Sequence, residues 1–234
     1  MWRDSMSKLQ ILPAGDKAVV MEFENEISPE VNAKIRATDH LLREEFQLKG
    51  ITEIIPTYRS LLIYYDEKYW DFETLSKKLV EIPHYLEEKE IPEPKTLNIP
   101  VVYGGEYGPD LEYVAEYNNL TSDQVIEIHH TTTYLIYMLG FVPGFTYLGG
   151  MSEKIATPRL KDPRAKIPEG SVGIAGSQTG VYPLESPGGW QLIGRTPLKF
   201  YDPNKEDPFL PKPGYHLKFY PITEDEYREF KNKY

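Results

Sequence analysis

The run "SVGIAGSQTGVYPLESPGGWQLIGRTP", Ser171–Pro197, decides how the second half of the chain is read. Its short apolar stretches are broken every few residues by glycine or proline. Helices do not tolerate that pattern, whereas the bulges and corners of a small β-barrel or sandwich use it. The stretch carries almost no groups suited to acid–base chemistry. Two uses fit its glycines. Gly173, Gly176 and Gly180 can permit bulges and corners, or they can remove side chains so that a ligand or partner reaches the backbone. On the second use Gln178, Thr179, Tyr182 and Ser186 are the polar groups facing it. Gly188 and Gly189 then hold Trp190 behind a rigid turn, and Arg195 is the permanent cation. Composition leaves both uses open.

Upstream lies a related segment, "YLIYMLGFVPGFTYLGG" (Tyr134–Gly150). Gly140, Pro143 and Gly144 let a strand leave into a tight loop that presents Phe141, Phe145 and Tyr147 close together. The alternative is that these rings plug one end of a barrel. Before it, "LNIPVVYGG" reads as a strand ending in a glycine turn. Pro109–Asn118 is a short helix with Leu111, Val114 and Ala115 on one face. Thr121 and Gln124 form a capping box leading into Val125 and Ile128. "TEDEYREFKNKY" reads as a terminal helix or a frayed tail.

The first ninety or so residues follow a different pattern. "AVVMEF" (Ala18–Phe23) is a strand, and Ser28–Pro29 opens a helix with Val31, Ile35, Leu42 and Phe46 at helical spacing. Gly50 is placed to close it in the left-handed region. "ITEIIPTY" and "SLLIYY" make a hairpin through Arg59. Asp71 caps a second helix with Phe72, Leu75, Leu79 and Ile82 inward and Pro83 near its end. These elements predict an α+β sandwich of the split-βαβ, ferredoxin-like kind. The stretch "EIPEPK" (Glu90–Lys95) sets the boundary, giving an α+β domain over 1–92 and a mainly β domain over 93–234.

The 234 residues are 40% apolar and 13% aromatic and carry a formal charge of −10. That balance suits a folded protein and argues against a nucleic-acid backbone as partner. No cysteine is present, which removes disulfides, thiol catalysis and zinc–thiolate sites. "MWRDSMSKLQ" has no apolar run of a signal peptide and no stretch approaches a membrane span, so a cytoplasmic protein is expected. Walker-type phosphate loops, H-E-x-x-H and G-x-S-x-G are all missing from the sequence. His129 and His130 point to different faces of a helix and suit structural or surface roles better than a metal, and no metal site is expected.

The two glycine-rich segments, with "LPAGDKAVVMEFENEISPEVNAKIRA", "GITEIIPTYRSLLIYYD" and "VVYGGEYGPDLEYVAEYNNL", resemble the KipI / allophanate hydrolase subunit 1 family from about Leu12 to Ile222. Departures from the family pattern are "HHTTTY" at 129–134 and Thr146 in "GFTYL". The resemblance implies an N-terminal α+β domain and a C-terminal cyclophilin-like β-barrel. It implies the branch of the family that forms ATP-dependent 5-oxoprolinase, which opens 5-oxoproline to glutamate. Such a chain works with a homologous C subunit (the KipA / allophanate hydrolase subunit 2 type) and a third, A subunit, ATP being used by the assembly. In that picture the isolated chain is inactive and its site is shared with a partner. Gln178 and the bare backbone orient the amide, Arg195 or Lys166 balances developing negative charge, and Phe145, Tyr147 and Trp190 exclude water. Phe141, Pro143, Gly144, Gly176, Thr179, Tyr182, Ser186, Gly188 and Gly189 complete the expected substrate- or partner-binding set. Other members of the family imply two alternatives, an inhibitor of a sporulation-type histidine kinase and a carboxyltransferase-like part of a urea- or allophanate-using enzyme.

Overall fold

The computed structural model describes residues 9–82, 85 and 94–233. Pro83 and most of the "EIPEPK" stretch lie outside them. The chain divides into two compact units, residues 1–93 and 94–234.

The first unit runs β1 (Gln10–Pro13), β2 (Ala18–Glu22), α1 (Pro29–His40), β3 (Ile51–Pro56), β4 (Ser60–Tyr65) and α2 (Phe72–Glu81). Its sheet has the order β1-β2-β4-β3 with every neighbouring pair antiparallel. β1 is absent from the sequence reading, because "QILP" is too short and too exposed to show a period. Ser28 caps α1 by accepting from the Val31 amide at 3.2 Å. The helix then widens into a π turn over Leu41–Phe46 and closes at Gln47, which has φ 39°. That corrects the expected stop at Gly50. Gly50, with φ 92°, instead belongs to the turn before β3, where a Cβ would collide with the Tyr69 side chain. The β3–β4 hairpin is tied by Thr57, whose amide donates to the Ser60 carbonyl at 2.8 Å. Asp71 and Thr74 form the capping box of α2. Leu75, Leu79 and Ile82 are buried, but Phe72 is exposed, so the packed face begins one turn later than the periodicity predicts.

The second unit contains β5 (Thr96–Tyr103), α3 (Leu111–Tyr117), α4 (Ser122–Thr131), β6 (Thr133–Leu139), β7 (Thr146–Gly149) and β8 (Arg164–Ile167), followed by β9 (Ser171–Ala175), β10 (Gln178–Val181), β11 (Ser186–Gly188), β12 (Gln191–Arg195), β13 (His216–Pro221) and α5 (Glu224–Lys233). Seven strands form one sheet in the order β10-β9-β12-β5-β13-β6-β7, and β8 pairs with β11 as a separate ribbon. The sheet curls until β10 packs beside β7, giving a nearly closed barrel. At that seam a Cβ on Gly180 would lie 3.0 Å from the Thr146 carbonyl oxygen, so glycine lets the two edges approach without either giving way. The interior is filled from five neighbouring strands, β9, β12, β5, β13 and β6, by Ile174, Ile193, Ile99, Val101, Phe219 and Ile136, with Val114 of α3 and Val125 of α4 packed against them. The expected Thr121–Gln124 capping box is present at the start of α4. α5 is a helix, and its Tyr227 packs on Tyr107 at 4.9 Å. Among the described residues no helix is long and apolar enough to cross a membrane.

Candidate functional site

The β6–β7 loop and the segment entering β12 bring the expected aromatics together. Phe145 is the hub, with ring centroids 5.2 Å from Tyr147, 5.4 Å from Tyr182, 5.3 Å from Trp190 and 5.5 Å from Phe141. All four contacts are edge-on, the arrangement favoured by ring quadrupoles. Phe145, Tyr182 and Trp190 are buried, whereas Phe141 is 62% exposed. Phe141 also holds φ 67°, which a non-glycine residue adopts at a cost of roughly 1–2 kcal/mol. The loop is tightened by Gly144, which follows Pro143 and has φ 84°; a Cβ there would crowd Tyr201 and Pro183 at 3.1 and 3.3 Å. Burial pushes the Tyr182 phenol up to about 12, so it stays protonated while bonding the Trp190 backbone.

The glycines divide by use. A Cβ on Gly173 would meet Trp190 at 3.1 Å, and one on Gly180 would meet Trp190 and Phe145 at 3.1 and 3.3 Å. Gly188 lies against the Tyr182 hydroxyl in the same way. At these positions the bare backbone receives the protein's own rings. Gly176 sits in the β9–β10 turn with φ 58° and open space around its Cβ direction, and Gly189 has only ordinary contacts.

The polar candidates scatter. Thr179 is fully buried inside the barrel, where its hydroxyl donates to the Gly173 carbonyl at 3.0 Å. That commits its proton, so His129 Nε2 donates to Thr179 Oγ1 at 2.9 Å and Tyr103 donates to His129 Nδ1 at 2.7 Å. Burial, aided by nearby His130, lowers the His129 pKa to about 3 and holds it neutral. His130 is instead near the surface, paired with Glu127 at 2.9 Å. Ser186 is buried, and its hydroxyl has no hydrogen-bond partner among the described residues.

Gln178, Arg195 and Lys166 lie on separate parts of the second unit. Gln178 pairs with Ala175 at one end of β9, while Arg195 pairs with Ser171 at the other. Four residue steps along the strand separate those ends, about 13 Å. Arg195 stacks over Tyr107 at 5.5 Å and lines a recess with Tyr227. Lys166, on the β8–β11 ribbon, binds Glu185 at 2.8 Å on the surface.

Sequence reading missed the pair that positions Trp190. The Asp110 carboxylate accepts from Arg164 Nη2 at 2.7 Å with one oxygen and from the Leu192 amide at 2.6 Å with the other. Arg164 Nη1 reaches the Trp190 carbonyl at 3.4 Å. Gly108 lets this corner close on β12, since a Cβ there would collide with the Ile193 carbonyl. The only hint in the sequence is "YGPD", a turn ending in an acid. Among the described residues no group of three or more His, Asp or Glu is placed to hold a metal ion.

The family model for the carboxyltransferase domain, subdomains C and D, matches residues 9–211. The B subunit of 5-oxoprolinase from Bacillus subtilis (strain 168) is 44% identical, the alignment covering 97% of this chain and 98% of that protein. The 5-oxoprolinase B subunit of Escherichia coli O157:H7 is 40% identical over 94% of this chain and 99% of its own length. A crystal structure of a conserved uncharacterized protein, PH0987 from Pyrococcus horikoshii, superposes with a TM-score of 0.56 at 48% identity, covering 93% of this chain and all of that one. With the model matching most of its length and full-length relatives well above 30% identity, this chain belongs to the carboxyltransferase subdomain C and D family that includes the 5-oxoprolinase B subunits.

Proposed function

We propose that this chain is the B subunit of an ATP-dependent 5-oxoprolinase, acting with A and C subunits to open 5-oxoproline to glutamate. The end-to-end match to proteins of that name carries the reading. The reaction breaks a stabilised lactam amide. ATP gives its terminal phosphoryl group to the amide oxygen and leaves as ADP. Water adds to the activated carbon, the ring C–N bond breaks with nitrogen taking a proton, and a second water completes release of phosphate. This chain's part is a dry wall: Phe145, Tyr182 and Trp190 exclude water, and exposed Phe141 meets the partner that supplies the remaining groups. Gln178, at the start of β10, orients the amide from the edge of that wall.

The same reading takes the barrel as cyclophilin-like. It takes the first unit as a split βαβ sandwich, since α1 joins β2 and β3, which lie on either side of β4. Purified A and C subunits, mixed with and without this chain, provide the test by glutamate release from 5-oxoproline plus ATP. The rate is expected to fall to background when the chain is left out, and an unchanged rate overturns the proposal.

A further inference from the structure

Away from the aromatic cluster, the second unit carries two neighbouring recesses of about 440 and 300 Å³. Lys95, Lys205 and Lys212 line the larger, Arg195 and Lys231 line the smaller, and Lys199 lines both. These six cations face three carboxylates, in a chain whose formal charge is −10. The Lys212–Asp207 pair cancels itself, which leaves five cations against Asp202 and Glu169. Asp202 accepts from the backbone and side-chain nitrogens of Asn204 at 3.1 and 3.2 Å. The local field is therefore positive against the sign of the whole molecule.

The fold gathers the cations from four places: the approach to β5, the end of β12, the loop after it, and α5. That loop, "KFYDPNKEDPFLPKPG", contains four prolines. The Tyr201–Phe209 bridge, the Asp202 amide donating to the Pro208 carbonyl at 2.8 Å and the Leu210 amide donating to the Phe200 carbonyl at 3.0 Å pin it. Prolines and cross-links of this kind lower the ordering cost of binding. Leu97, Phe209 and Tyr215 add apolar wall to the larger recess. In the smaller one Arg195 stacks on Tyr107 and donates from Nη2 to the Glu106 carbonyl at 3.5 Å, while its buried Nε has no hydrogen-bond partner among the described residues.

We infer that the paired recesses bind a small molecule bearing two or more anionic groups, a phosphate ester or a polycarboxylate, with Lys199 contributing to both lobes. Binding is read on the full chain alone, independently of the 5-oxoprolinase reading. Calorimetric titration at low salt with ATP, tripolyphosphate and citrate tests it. Saturable one-to-one binding of at least one probe is expected, and the probe preferred tells phosphate from carboxylate. Lys199→Ala and Lys205→Ala should each weaken that binding at least tenfold without moving the melting temperature of the free protein, and Lys199→Arg should retain it. Lys154→Ala, a surface control outside both recesses, should leave affinity unchanged. No saturable binding by any of the three probes overturns the inference, as does a loss with Lys154→Ala equal to that with Lys199→Ala.

Discussion

Asp110 joins three pieces of chain through one residue. Its carboxylate takes the Arg164 guanidinium and the Leu192 amide, and its own amide donates to the Leu192 carbonyl at 2.9 Å. Asp110→Ala removes two charge-assisted bonds and leaves Arg164 without its carboxylate. The variant should lose about 2 kcal/mol in denaturant unfolding, with Asp110→Asn losing less because it keeps an acceptor. His129 makes a pH prediction. Its folded pKa lies below the unfolded value, so between pH 6.5 and about 3 the unfolded chain binds a proton that the native barrel does not. This contribution is fully present above pH 6.5 and declines as pH falls, by about 1.4 kcal/mol per pH unit. Wild type should lose more stability between pH 7 and pH 5 than His129→Gln, measured by urea unfolding at both pH values. Neither interaction is local in sequence. Arg164 lies 54 positions from Asp110 and Thr179 lies 50 from His129, so no spacing rule could pair them. The aromatics were easier to read because their loop is short and punctuated by glycine and proline.

Elements with local signals were legible: the Asp71 cap, the Thr121–Gln124 capping box and the hairpin turn around Arg59 are each set by residues a few positions apart. The π turn after α1 was not, because the four-residue spacing of Leu42 and Phe46 fits a turn of either width. β8 and β11 were equally hidden, being three or four residues long and partly exposed. The β6–β7 loop shows the cost of presenting a side chain. Phe141 accepts a left-handed backbone and keeps most of its ring in solvent. Phe141→Gly should leave the isolated chain as stable or up to about 1 kcal/mol more stable in thermal unfolding. The same variant should lower affinity for the partner in a binding titration. Unchanged affinity would remove Phe141 from the interface.

At the scale of the whole molecule, each unit has its own apolar core. Met21, Ile35, Leu61 and Leu75 belong to one, and Ile99, Ile136, Ile174 and Phe219 belong to the other. Leu75→Ala should therefore cost about 3 kcal/mol in the first unit. Scanning calorimetry should show one unfolding transition moving down while the barrel's transition stays in place. The split into two regimes was legible because strand–helix alternation gives way to short runs cut by glycine. The barrel's strand order was not, since it depends on partners far apart in the chain. One such pairing governs how the barrel can be made. β5 opens the second unit, yet it lies parallel to β13, with Thr96 opposite His216. On its other side it meets β12, also late in the chain. During synthesis the first barrel strand must wait, edge bare on both sides, until nearly the whole unit has left the ribosome. High contact order of this kind makes closure slow and all-or-none. A chain cut before β13 would expose an unpaired strand and aggregate rather than fold to a smaller barrel.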